Sequence, residues 1–260
     1  MYGEKLKFFF LVMVLCLSMR QIAQSEEVTS AAYTDYPPFT ADYLEGGGFA
    51  IVLATEAFKR EGFVVKHSWM PWVRGATLVE KGVVDFTLPY YFTHKRTSIF
   101  EYSEPIYSIY IRAYGRRGSG ENVTSIEGLE GKTICHPRGY ANPVYLQNLF
   151  DTGRATLRRP MDMEQCLKLT LSKRVDYFLS SPEVWKGSLE RLSLSEDEFE
   201  ELSFNVQVNR LYLVFGKSNP RAPKLVSAFN SGLEKMSADG SLRKLVEKYD
   251  IDVRFVDPLN

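Results

Sequence analysis

Two stretches of the chain read as the same short unit. Residues 78–89, LVEKGVVDFTLP, and residues 169–180, LTLSKRVDYFLS, align without a gap. Leu78, Val84, Asp85, Phe86 and Leu88 fall on Leu169, Val175, Asp176, Tyr177 and Leu179. Each reads as the end of a helix, a short turn, and a strand opening at an aspartate. The match is short, but it is what two lobes of one βαβ design leave behind in a sequence. A chain of 260 residues has room for two modest lobes and not for two large independent domains.

Charge and composition exclude several functions. Lys and Arg total 32, as do Asp and Glu, so the formal net charge is zero and no basic footprint for nucleic acid is evident. His67, His94 and His136 are scattered without ligand-like spacing, so neither a metal site nor a cofactor is expected. At the start of the chain, Lys5 and Lys7 precede the apolar run Phe8 to Leu17, and Ala23-Gln24-Ser25 supplies small residues for cleavage. Residues 1–25 therefore read as a secretory signal peptide, the run being too short for a comfortable transmembrane helix. Cys16 lies within it, but Leu15 stands where a lipoprotein signal wants a small residue, so no lipid anchor is expected. The mature chain is then a soluble protein outside the cytoplasm. It keeps Cys135 and Cys166, for which a disulfide is the natural reading in an oxidising compartment. The alternative is a pair of buried free thiols. The sequon Asn122-Val123-Thr124 is a chance match if the source is bacterial.

The richest chemistry follows the first repeat. Val83, Val84, Phe86 and Leu88 after Gly82 predict a buried strand. Pro89, with no N–H for a ladder, is expected to stop it. Tyr90 and Tyr91 come next, then Thr93-His94-Lys95-Arg96. Loops at the carboxyl ends of strands are where open α/β folds hold ligands. An arginine among aromatic rings suits a small organic anion, because a guanidinium grips a carboxylate through two parallel charge-assisted hydrogen bonds.

Thr93-His94-Lys95-Arg96, followed by Phe100-Glu101-Tyr102-Ser103-Glu104-Pro105-Ile106-Tyr107, resembles the T-x-x-R … F-S-x-P-Y signature of family 3 extracellular solute-binding proteins. These are the periplasmic receptors of polar amino-acid ABC transporters. Ser125 to Cys135 and the C-terminal run through Asp239-Gly240 to Tyr249 are similar to further segments of the family. The resemblance implies an α/β, two-lobed periplasmic-binding-protein-like (type II) fold, each lobe a mixed sheet flanked by helices, joined by two crossover strands. Residues 26–110 would form the first part of lobe 1, residues 111–210 lobe 2, and residues 211–260 the return to lobe 1. The function it implies is periplasmic capture of a small carboxylate-bearing solute, an amino acid or a relative of one. Hinge closure would hold the solute for delivery to an ABC permease in the inner membrane, with the protein a monomer.

The resemblance also places site residues. Arg96 is the expected carboxylate clamp. Tyr36, in Tyr36-Pro37-Pro38-Phe39, falls in the cleft, unless it and Phe39 simply cap the core. Trp72 falls at the start of a cleft helix, where stacking on a ligand competes with ordinary packing, and Arg74 faces either cleft or solvent. Strand alternation aims only one of Tyr90 and Tyr91 at the cleft, and Tyr90 is favoured. Gly139 matches a family position that opens a helix toward the ligand, and Tyr140 replaces the usual hydroxyl residue. Relatives that bind α-amino acids carry a second aspartate where this chain has Ser181, leaving Glu183 as the nearest substitute. Two other classes stay open. A periplasmic enzyme of the same fold, cyclohexadienyl dehydratase-like, would need an acid or base such as Glu183. A ligand-sensing module would need a fused signalling segment.

Overall fold

The computed structural model describes residues 25–120 and 123–259. The predicted signal peptide, apart from Ser25, and Asn122 of the sequon lie outside the described residues. The strands are β1 (Glu26–Ala32), β2 (Asp35–Tyr36), β3 (Thr40–Ala41), β4 (Phe63–Trp69), β5 (Phe86–Tyr91), β6 (Phe100–Tyr102), β7 (Tyr107–Arg116), β8 (Thr133–Cys135), β9 (Thr156–Arg158), β10 (Tyr177–Ser180), β11 (Phe199–Glu201) and β12 (Gln207–Gly216). The α-helices are α1 (Phe49–Arg60), α2 (Trp72–Glu80), α3 (Val144–Asp151), α4 (Met163–Leu171), α5 (Pro182–Leu192), α6 (Ala222–Ala238) and α7 (Ser241–Lys248).

One ten-stranded mixed sheet runs β4-β1-β5-β12-β7-β10-β8-β9, with β6 and β11 beside it. Its two halves are the sheets of two lobes. Strands β7 and β12 are long enough to serve both. The first half of β7, Tyr107 to Ile111, pairs with β12, and its second half, Arg112 to Gly115, pairs with β10. Strand β12 in turn passes from β7 to β5. A strand that changes partner midway belongs to both layers, which makes this antiparallel pair the connection between the lobes. Among the described residues no helix is long and apolar enough to cross a membrane.

The sequence repeat has a structural counterpart. In lobe 1 the Asp85 N–H donates to the Thr29 carbonyl, and the Thr29 N–H donates back to Asp85 Oδ2 at 2.8 Å. In lobe 2 the Asp176 N–H donates to the Thr133 carbonyl, and the Thr133 N–H donates to Asp176 Oδ2 at 2.7 Å. Each aspartate so clips the start of its strand, β5 or β10, to the parallel neighbour, β1 or β8. The turns before them match as well. Gly82 and Lys173 occupy the same position and both take a left-handed backbone, with φ of 68° and 60°.

Several local expectations need correction. Val83 lies exposed in the turn, and β5 begins only at Phe86. Pro89 does not stop that strand, which continues to Tyr91. The ladder to β12 is irregular there: Tyr90 pairs with Tyr212 and Thr87 with Val214, so Leu88 and Pro89 together oppose Leu213. Ser103 supplies what the proline cannot. Its Oγ accepts from the Leu213 N–H at 3.0 Å, and its own N–H donates to the Leu213 carbonyl. Proline is tolerated at such a bulge because no ladder donor is missed. Gly139 and Tyr140 do not open a helix either, since α3 starts at Val144 behind Pro143.

Cys135, at the end of β8, is bonded to Cys166 on α4, with Cα atoms 5.6 Å apart. The free-thiol alternative is thereby excluded. Closing a loop of this length stabilises by about 4 kcal/mol in the chain-entropy account.

Candidate functional site

A narrow pocket lies between the lobes at the carboxyl end of β5. Lobe 1 contributes Tyr36, Trp72, Pro89, Tyr90, Tyr91 and Arg96, and lobe 2 contributes Gly139, Tyr140 and Ala141. The rings pack on one another. Tyr33 stacks on Trp72 with centroids 4.8 Å apart, and Tyr90 meets the same indole edge-on at 5.1 Å. Tyr140 reaches across from lobe 2 to meet Tyr36 edge-on at 5.5 Å. The cavity left between them is about 20 Å³, room for about one water.

Arg96 is carried on a short 3-10 turn, His94–Ser98, whose cap residue Thr93 accepts from the Arg96 N–H through Oγ1. Its half-buried guanidinium sits 4.8 Å above the Tyr90 ring. Nη1 donates to the Tyr91 carbonyl at 3.2 Å, and Nη2 reaches the Gly139 carbonyl of lobe 2 at 3.4 Å. Among the described residues its hydrogen bonds go only to these backbone carbonyls, and no carboxylate neutralises it. A cation over an aromatic face, holding two neutral acceptors, retains most of its capacity to bind an anion.

The tyrosines are neutral donors. Burial pushes the hydroxyls of Tyr36 and Tyr140 well above the ordinary tyrosine range. Burial likewise raises Tyr90 and Tyr91. The Tyr36 and Tyr91 hydroxyls share a hydrogen bond of 2.7 Å, and the Tyr90 hydroxyl donates to the Trp72 carbonyl at 3.0 Å. Trp72 Nε1 and the Tyr140 hydroxyl are buried without a partner. Buried polar atoms are nearly always satisfied, so such orphans in a pocket are free for a bound molecule or water.

Arg96, Tyr36, Trp72, Tyr90, Tyr91 and Tyr140 thus come together in one pocket. Both members of the tyrosine pair line it, Tyr90 packed edge-on against the Trp72 indole and Tyr91 joined to Tyr36 through their hydroxyls. Ser181 and Glu183 do not line it. Ser181 is the cap residue of α5, buried, with its Oγ unpartnered, as is that of Ser180. Glu183 lies deeper between the lobes. Its Oε1 accepts from the Tyr107 hydroxyl at 3.2 Å, its Oε2 is buried without a partner, and its charge bears on Tyr36 and Tyr91. Arg74 is exposed. Tyr33 backs the pocket wall and Ala141 lines it. The strand-end position of Tyr33 was a usable signal; Ala141 carries none.

A two-lobed α/β fold, two crossover strands and an aromatic pocket in the seam between the lobes define the class of periplasmic-binding-protein-like proteins. Residues 28–251 match the bacterial extracellular solute-binding proteins, family 3, and the chain belongs to that family. No curated protein sequence matches it. Among solved structures it is similar to AbpA, the substrate-binding protein of an amino acid ABC transporter from Streptococcus pneumoniae, there bound to L-arginine. The TM-score is 0.72 at 19% identity, over 86% of this chain and 94% of that one. It is also similar to a mutant of ArgBP from T. maritima, at 0.74 and 18%, over 88% and 97%. A histidine kinase sensor domain with similarity to periplasmic binding proteins scores 0.76 at 16%, over 87% and 96%. At these identities the likeness carries the fold alone.

Proposed function

We propose that the protein is a periplasmic receptor that captures a small carboxylate-bearing solute, an amino acid or a close relative, between its lobes. It then delivers the solute to an ABC permease in the inner membrane. The observation that carries this reading is Arg96. It stands in a seam of aromatic rings, has no carboxylate partner among the described residues, and touches both lobes. Tyr36, Trp72, Tyr90, Tyr91 and Tyr140 form the apolar and hydrogen-bonding walls. Glu183, with Ser181 beside it in the chain, is the nearest acceptor for a cationic group of the solute. A space of about 20 Å³ is far below the size of an amino acid, so binding requires the lobes to part and close again. The closed form gains because the solute contacts both halves at once. The lobe boundaries proposed are residues 26–110, 111–210 and 211–260. The midpoints of β7 and β12, where the partner strands change, support them.

The test is a thermal-shift screen over amino acids, amines and small carboxylic acids, with wild type and Arg96→Ala side by side. At least one carboxylate should raise the melting temperature of wild type and leave the variant unmoved. Equal shifts in both proteins would remove Arg96 from the site.

A further inference from the structure

Helix α5 has two faces of different character. Val184, Trp185, Ser188 and Leu189 are buried in the lobe 2 core. Glu183, Gly187 and Arg191 recur at every fourth position and therefore share the other face. Each of the three meets lobe 1. Glu183 accepts from Tyr107 at the lobe 1 end of β7. Arg191 donates to Asp35 at 2.5 Å and lies 4.7 Å above the Tyr43 ring. Between them, Gly187 faces Pro37.

The middle contact sets the limit of approach. A Cβ on Gly187 would stand 2.5 Å from Pro37 Cγ and 2.8 Å from Pro37 Cβ. The pyrrolidine ring is locked to its own backbone and cannot swing aside as a flexible side chain would. Gly187 has no conformational need to be glycine: it lies inside a regular helix and does not take a positive φ. Glycine is also the poorest helix former after proline. Both facts leave the close approach of lobe 1 as the physical reason for a hydrogen at this position.

We propose that Gly187 is a positioning residue for lobe closure. The missing side chain lets α5 settle on Pro37, and only then do Glu183 and Arg191, one turn to either side, reach Tyr107 and Asp35. The inference rests on the reading that the lobes close on a solute, but it concerns the seam and not the solute. A side chain at this position acts as a wedge. It leaves each lobe intact and withholds the closed form.

The experiment uses the mature chain carrying Asp35→Cys and Arg191→Cys, treated with a short bismaleimide and no added solute. Cys135 and Cys166 are bonded to each other and do not react. Bridging then reports visits to the closed seam. Gly187→Leu should slow bridging at least about tenfold and Gly187→Ala by less, with neither lowering the melting temperature, since both residues favour a helix over glycine. Pro37→Gly added to Gly187→Ala should restore the rate. Equal rates in all three proteins, or a loss that Pro37→Gly does not restore, would overturn the assignment. A parent protein that never bridges would overturn the closure reading along with it. A wrong choice of solute would leave this result untouched.

Discussion

Asp85 and Asp176 are the same residue in the two repeated segments and make the same clip, yet their removal should cost very different amounts. Asp85 is only 6% exposed. Besides the Thr29 N–H, its carboxylate accepts from Thr29 Oγ1 at 3.1 Å, Asn219 Nδ2 at 2.9 Å, and Arg221 Nη1 at 3.0 and 3.1 Å to its two oxygens. Truncation to alanine leaves a buried amide and a guanidinium short of their acceptor. Breaking a buried charge pair from one side costs about 3–5 kcal/mol. The low end applies, about 3 kcal/mol, because the Arg221 side chain is 35% exposed and keeps its contact with Glu26. Asp176 is exposed, and among the described residues its side chain makes a single hydrogen bond, from the Thr133 N–H. Its loss should cost about 1 kcal/mol, the ordinary net value of one hydrogen bond. Urea unfolding of Asp85→Ala and Asp176→Ala reads both numbers. Hydrogen exchange should locate the first loss in β1 and β5 and the second in β8 and β10. Equal losses, or a greater loss from Asp176→Ala, would refute the view that partners rather than the shared clip decide the energy.

Lys173 holds a left-handed backbone at φ 60° where the first repeat has Gly82 at φ 68°. Lys173→Gly should raise the urea midpoint by the equivalent of up to about 1 kcal/mol, because a Cβ is disfavoured in that conformation. The reverse change, Gly82→Ala, should lower it by a similar amount. His67 and His136 both have pKa values pushed down to about 4 by burial. The unfolded chain then takes up protons first as pH falls from about 6.5, so stability is flat above that pH and declines between about 6.5 and 4. The decline should be about 3 kcal/mol for each histidine. Unfolding midpoints measured from pH 8 to pH 4 should show a shallower fall for His136→Asn than for wild type.

What the sequence disclosed and what it withheld divide along a physical line. The helix-turn-strand unit was legible because each of its parts is local: an apolar periodicity, a turn, and an aspartate one residue before the strand. The family signature around Arg96 was legible because a charged residue among tyrosines at a strand end has few structural uses. The bulge at Pro89 was not, because it depends on Ser103 supplying the hydrogen bonds of Leu213, two residues far apart in the chain. The seam is hidden for the same reason at longer range. From the chain alone Glu183 reads as a stand-in for the aspartate absent at Ser181 or as an acid or base, whereas its observed partner, Tyr107, lies on a crossover strand. Gly187 carries no motif at all. Its one local anomaly is a glycine in a helix interior, a position that the chain fills at a disadvantage of about 1 kcal/mol relative to alanine. Such a residue has meaning only once Pro37 is known to stand opposite. The features that shape each lobe are therefore written in neighbouring residues, and the features that bring the lobes together are written in pairs far apart in the chain.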